Sequence, residues 1–250
     1  MDALSPYHPP AIVLDDVALL FDVDGTLIEI APRPDEVFVP PSLLRSLARL
    51  QEQTDGALAI VSGRALSDVD RLFAPLKLAA IGGHGAEIRA QPGGPVDGAN
   101  AYPLHQDLTN QLISFCEGRD GVIIEDKGYS LAMHYRLAPE QEPAIRDGVS
   151  AICSKWPGTV SILPGKSVVE VKHAGVSKGT ALRKLMRIPP FAGRAPIFIG
   201  DDTTDEAAIA AMPEFDGFGL SVGRTLPGAV FEFSSPDAVR HWLEKISSDT

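Results

Sequence analysis

The chain has 250 residues, enough for one large domain or two modest ones, and its 44% hydrophobic content is ample for a buried core. Its formal net charge of −11 argues against a nucleic-acid partner, which demands Lys and Arg to neutralise phosphates, but leaves room for a small anion held by local cations or a metal. Cys116 and Cys153 lack CxxC spacing, and no cationic–apolar leader or membrane-length apolar run is read. The expectation is therefore a cytoplasmic monomer with no disulfide framework, zinc site or membrane partner.

Residues 1–13, with Pro6, Pro9 and Pro10, read as a tail. Val17 to Phe21 is a continuous apolar run that ends at Asp22, the pattern of a strand buried on both faces. Leu43, Leu44, Leu47 and Leu50 follow at helical spacing behind Ser42, a candidate N-cap. Ala57 to Val61 and Leu78 to Ile81 repeat the buried-strand form and end at Ser62-Gly63 and Gly82-Gly83. After the Gly/Pro-rich stretch from Gln91 to Pro103 the pattern changes. Helix candidates at 104–117 and 139–155 each precede two strands. The first pair is 122–124 and 130–135, with a turn at Lys127-Gly128. The second is 160–163 and 168–171, with a turn at Pro164-Gly165. The buried-strand form then returns. Ala181, Leu182 and Leu185 repeat behind Ser177, Ala195 to Ile199 end at Gly200-Asp201, Ile209 and Met212 follow Thr204, and Phe218 to Val222 make a fifth strand. The expected fold is α/β: a Rossmann-like parallel-sheet core over 14–103 and 174–246, with an inserted α+β cap of antiparallel sheet over 104–173.

Open α/β sheets bind ligands outside the carboxyl ends of their strands. The unusual polar residues fall there: Asp22 and Asp24, Ser62 and Arg64, and the acidic run from Asp201 to Glu206. Lys178 opens a helix just before the last of these. Converging carboxylates repel one another unless a cation joins them, and hard oxygen ligands beside a phosphate suit magnesium. A carboxylate can then be the nucleophile and a second one the acid and base, with Lys178 and Ser62 near the phosphoryl oxygens. Taken singly each motif has a plainer reading. Asp-x-Asp-Gly can be a turn, Ser62-Gly63 a strand-to-helix corner, Lys178 a solvated residue, and Asp205 and Glu206 compensation of a helix dipole.

In order, Asp22-Val-Asp-Gly-Thr-Leu27, Val61-Ser-Gly-Arg64, Ser177-Lys-Gly179 and Gly200-Asp-Asp-Thr-Thr-Asp-Glu206 resemble the four signature motifs of the haloacid dehalogenase-like phosphatases. The resemblance implies Asp22 as nucleophile, Asp24 as general acid and base, and Ser62 and Lys178 on the phosphoryl group. It also implies magnesium held by Asp22, the Asp24 carbonyl and Asp201, with Asp202 or Asp205 in support. Further segments resemble the trehalose-6-phosphate phosphatase family within that superfamily. They are Gly83-His-Gly-Ala-Glu87, Glu125-Asp-Lys127, His134-Tyr-Arg136 and Glu170-Val-Lys172. They imply a sugar phosphate as the small-molecule partner, with Glu125, Lys127 and Glu170 on the distal sugar and Arg64, His84 and Arg136 nearer the core. Glu125 and Lys127 also read as a hairpin ion pair, and His134 as a solvent-facing strand residue. Sucrose-6-phosphate, mannosyl-3-phosphoglycerate or a non-catalytic sensor role stay open as alternatives.

Overall fold

In a computed structural model of the chain, residues 9–31, 37–97, 102–165 and 167–248 are described. In chain order the first elements are β1 (Val17–Phe21), α1 (Pro41–Gln53), β2 (Leu58–Val61), α2 (Leu66–Leu72), β3 (Ala79–Gly82) and β4 (Glu87–Arg89). Next come α3 (Gln106–Cys116), β5 (Ile123–Asp126), β6 (Ser130–His134), α4 (Glu142–Cys153), β7 (Val160–Gly165) and β8 (Val168–His173). Last are α5 (Lys178–Leu185), β9 (Ala195–Gly200), α6 (Glu206–Ile209), β10 (Phe218–Val222), β11 (Ala229–Phe233) and α7 (Pro236–Ile246). The chain divides into two compact units, one of Met1–Asp97 with Ser177–Thr250 and one of Gly98–Val176. The second unit extends past the expected 104–173 at both ends. Most of the expected tail lies outside the described residues.

The first unit carries a seven-stranded sheet in the order β11-β10-β9-β1-β2-β3-β4. β1 lies at its centre, pairing in parallel with β2 and β9. Alternate residues of β1 feed opposite cores because successive side chains of a strand point to opposite faces. Leu19 and Phe21 join Leu47 of α1 and Leu243 of α7, whereas Ala18 and Leu20 join Leu182 of α5 and Phe198. Burial on both faces explains why these strands read as unbroken apolar runs. Two strands have no such run: β4, which pairs antiparallel to β3, and β11, which extends the parallel edge beside β10.

Other sequence expectations shift locally. Ser42 does not cap α1; Pro40 occupies the cap and Pro41 the first helical position, where its missing N–H is no loss. The helix expected after Thr204 is broken into a 3-10 turn at Thr203–Asp205, the short α6, and a second 3-10 turn at Met212–Phe215 that contains Pro213. Ser177 does cap α5, its hydroxyl accepting from the Thr180 N–H and the Thr180 side chain answering to the Ser177 N–H.

The second unit is a four-stranded antiparallel sheet, β5-β6-β8-β7, with α3 and α4 supplying Leu108, Leu112, Ile145 and Val149 to its core. Pro164 and Gly165 are not the turn between β7 and β8. They pair with Val169 and Val168 at the end of the ladder, and the chain reverses just beyond, where Ser167 has φ 61°. Leu131, Met133, Val169 and Val171 point into the helix-covered core. Period-two alternation therefore puts Ser130, His134 and Glu170 on the opposite face.

Gly179 offers a test of the packing of α5. A Cβ there would overlap the backbone carbonyl of Ala207. Gly179→Ala should destabilise the protein by about 1–3 kcal/mol through overpacking, reversing the gain of about 1 kcal/mol that Ala brings to an open helix. Urea unfolding reads the sign directly.

Candidate active site

The end of β1 delivers Asp22, only 5% exposed, with its N–H bonded to the Ile199 carbonyl of β9. The start of α5 delivers Lys178, 3% exposed, whose Nζ lies 2.6 Å from Asp22 Oδ1 and 2.6 Å from Asp205 Oδ1. Asp205 is fully buried, and its Oδ2 accepts from the N–H groups of Asp201 and Asp202 at 3.0 and 3.1 Å. That pair of bonds folds the segment after β9 back on itself. It is completed by Thr26, whose hydroxyl donates to Asp201 Oδ1 at 3.2 Å. Gly25, at φ 87°, takes the tight turn after β1, and a Cβ on it would strike the Asp201 carboxylate.

Carboxylate oxygens of Asp22, Asp201 and Asp205 come within 4.8 Å of one another. Burial is the largest influence on Asp22 and raises its carboxyl well above the usual range; Lys178 opposes this, and Asp205 and Asp201 add to it. Burial also raises Asp201, with the charge of Asp205, to about 6. Burial works to lower Lys178, but Asp22 and Asp205 more than offset it, and its ammonium is held charged. Three carboxylates thus share one ammonium. Both oxygens of Asp205 are already engaged, so Asp22 and Asp201 are the pair with donor capacity left. Their hard oxygens and surplus negative charge fit a divalent cation.

This corrects the assignment of Asp202. It is exposed, bonds to the Thr203 N–H at 2.7 Å and lies 3.8 Å from Arg224, outside the three clustered carboxylates. Asp205 stands in the cluster instead, and is not a helix-dipole group facing solvent.

Asp24 is gripped by Arg64 through two bonds of 2.6 Å, one to each carboxylate oxygen. Ser62 is buried, its hydroxyl accepting from the Arg64 N–H at 3.1 Å and its carbonyl from the His84 N–H at 3.1 Å. His84 has φ 54°, and its ring fills the space over Gly63 that a side chain would need. Gly85, at φ 106°, lets the same loop press against the Ser177 carbonyl. The loop from Gly82 to Glu87 therefore braces both the Ser62 corner and the start of α5.

In the second unit Glu125, Ala132 and Glu170 form one row across β5, β6 and β8. Lys127 Nζ lies 3.2 Å from Glu170 Oε2, and Ser130 donates to Glu170 Oε1 at 2.6 Å. Glu125 is 2.9 Å from His134 Nε2. The alternative reading of Glu125 and Lys127 as a hairpin ion pair does not hold: each has another partner, because Lys127 reaches past β6 to Glu170. Arg136 is exposed in the turn beyond β6, apart from this row. Thr26 lies in the first motif but was given no role, and Ser130 was read only as a strand residue; a hydroxyl in a strand or turn carries no local sign of the distant carboxylate it meets.

The trehalose-phosphatase family model matches residues 20–232. A trehalose-6-phosphate phosphatase of Escherichia coli is 38% identical over 231 residues, covering 92% of this chain and 86% of that protein. A probable trehalose-phosphate phosphatase of Sinorhizobium fredii is 40% identical over 225 residues, covering 90% and 84%. A crystal structure of a trehalose-6-phosphate phosphatase related protein superposes with a TM-score of 0.68 at 27% identity, covering 92% of this chain and 97% of that one.

The charge excess of the cluster has a measurable consequence. Asp201 titrates at about 6 in the folded, metal-free chain against 3.8 for an ordinary aspartate. Its protonation therefore favours the folded state below about pH 4, and this contribution is lost as pH rises through 6. Metal-free protein should lose stability over that window, and Asp201→Asn should flatten the loss. A divalent cation should restore stability at pH 7 in the parent and less so in the variant. Denaturant midpoints with chelator and with metal give the comparison.

Proposed function

The chain belongs to the trehalose-phosphatase family, and on that premise we propose that it hydrolyses trehalose 6-phosphate to trehalose and phosphate through an aspartyl-phosphate on Asp22. The observation that carries this reading is the buried Lys178 ammonium between Asp22 and Asp205, with Asp201 alongside. An anionic nucleophile approaches an anionic ester only where charge is neutralised. Lys178 supplies one cation at hydrogen-bonding distance from Asp22.

In the proposed sequence an Asp22 oxygen forms a bond to phosphorus as the bond to the sugar oxygen breaks. Asp24 gives its proton to that departing oxygen. Water then attacks the phosphorus of the aspartyl-phosphate, Asp24 takes its proton, and the P–O bond to Asp22 breaks to release phosphate. Asp24 thus returns to its starting protonation each turnover. The Arg64 fork suits the ionised Asp24; in our reading Arg64 turns to the substrate when the sugar oxygen takes its place. Ser62 and Lys178 hold phosphoryl oxygens, and His84 and Arg136 contact the substrate.

Magnesium is the proposed metal, with Asp22, Asp201 and the Asp24 carbonyl to hold it and with Asp202 outside the set. When bound it neutralises phosphoryl oxygens. The polar face of the second unit, with Glu125, Lys127 and Glu170, supports a role as the sugar-binding cap, since carboxylates and an ammonium suit vicinal hydroxyls. We place the cap at 104–173 and its hinges near Pro103 and Ala174-Gly175. Among the described residues no helix is long and apolar enough to cross a membrane. We read the enzyme as a cytoplasmic monomer without a nucleic-acid partner.

Phosphate release from a panel of sugar phosphates should be greatest for trehalose 6-phosphate and vanish with chelator. Stronger turnover of sucrose 6-phosphate would overturn the substrate assignment. Asp22→Asn should lower kcat by about 10⁴-fold or more while substrate still binds. Lys127→Ala should raise KM for trehalose 6-phosphate by roughly 10–100-fold, with little change for a small aryl phosphate. An equal loss on both would remove Lys127 from sugar recognition.

A further inference from the structure

A polar cavity of about 230 Å³ opens in the first unit between α1 and the C-terminal end of α7. None of its lining residues takes part in the site described above. Its α1 wall is lined by Arg45 and Arg49, both exposed, and by Ser42 and Ser46. Arg45 and Arg49 stand one turn apart on one helix face, a like-charge spacing that works against the helix. Among the described residues neither has an ion-pair or hydrogen-bond partner, although the chain holds 33 acidic residues against 22 basic ones. Ser46 lines the cavity, and its hydroxyl, which no side-chain hydrogen bond among the described residues engages, is open to solvent there.

The α7 wall is of the opposite kind. Ser247 and Ser248 each donate their hydroxyl hydrogen to the Glu244 carbonyl, at 3.0 and 2.8 Å. Their oxygens are left with acceptor capacity only. Glu244 also lines this wall; it is exposed, and its carboxylate can only accept. One wall thus donates and carries two positive charges; the other accepts and carries one negative charge. A bare anion satisfies the first wall and is repelled by Glu244. A phosphate ester with hydroxyls of its own satisfies both, its phosphoryl oxygens on the arginines and its O–H groups on Glu244 and the serines. The cavity is smaller than the ~300–1,000 Å³ of drug-sized ligand sites, a size that suits an occupant such as a monosaccharide.

We propose that the cavity between α1 and α7 is a second binding site, for a small phosphorylated polyol of the size of a hexose monophosphate. The test is amide NMR of the full chain carrying Asp22→Asn, so that no probe is turned over, titrated with glucose 6-phosphate. The expected result is a set of shifts in residues 42–49 and 244–248 that saturates. Arg45→Gln with Arg49→Gln should weaken that binding at least about tenfold, since hydrogen bonds to charged groups are the strong ones; glutamine keeps the helix propensity of α1. Ser46→Ala alone should weaken it several-fold, and sulfate at equal concentration should bind less tightly than glucose 6-phosphate. Shifts confined to the surroundings of residue 22, sulfate binding as tightly as the sugar phosphate, or unchanged affinity in the arginine variant would each overturn the proposal.

Discussion

The ammonium of Lys178 is almost wholly removed from water, and it keeps its charge because Asp22 and Asp205 each stand 2.6 Å away. Taking such a charge out of water is expensive, and removing one partner of a buried pair costs about 3–5 kcal/mol. The three residues belong to the start of α5, the end of β1 and the segment after β9. Their mutual attraction therefore fixes where these segments end relative to one another. The remaining oxygen of Asp205 extends the arrangement by holding the backbone of Asp201 and Asp202. One cation so organises the loops at the carboxyl end of the central strands, and leaves a net negative charge there for a metal to meet.

Close backbone approach makes this possible. Gly25 turns the chain in a left-handed conformation directly against Asp201, and Gly85 brings its loop onto the Ser177 carbonyl that precedes Lys178. A side chain at either point would push the loop away from the carboxylates. The apolar strands behind them, buried on both faces, supply the rigid support that such spacing needs.

The two units divide the chemistry. The first concentrates charge at one buried point, which suits any phosphate ester. The second spreads carboxylates and an ammonium across a sheet face, with Ala132 as the small residue between Glu125 and Glu170. Recognition of a polyhydroxylated leaving group at a distance from phosphorus is how binding energy from remote contacts can serve the reacting centre.

Much of this was readable along the chain. Val17–Phe21 and Phe218–Val222 stood out as strands, and Asp22 and Asp24 at the end of the first stood out with it, because burial on two faces and sharp polar termination are local patterns. β4 and β11 were not readable: the one is three residues of mixed polarity, and the other, although Pro227-Gly228 marks a turn before it, is an edge strand interrupted by Glu232; both are defined by pairing with a neighbouring strand. The same limit applied to the site. Asp22, Asp201 and Lys178 follow from motif and position. The choice between Asp202 and Asp205 does not, since adjacent acidic residues look alike until a 3-10 turn sends one inward to Lys178 and leaves the other to cap in solvent. Likewise Lys127 stands two residues from Glu125 in the chain, yet its partner is Glu170, because sheet register sets the distance between charges and register is a property of the assembled strands.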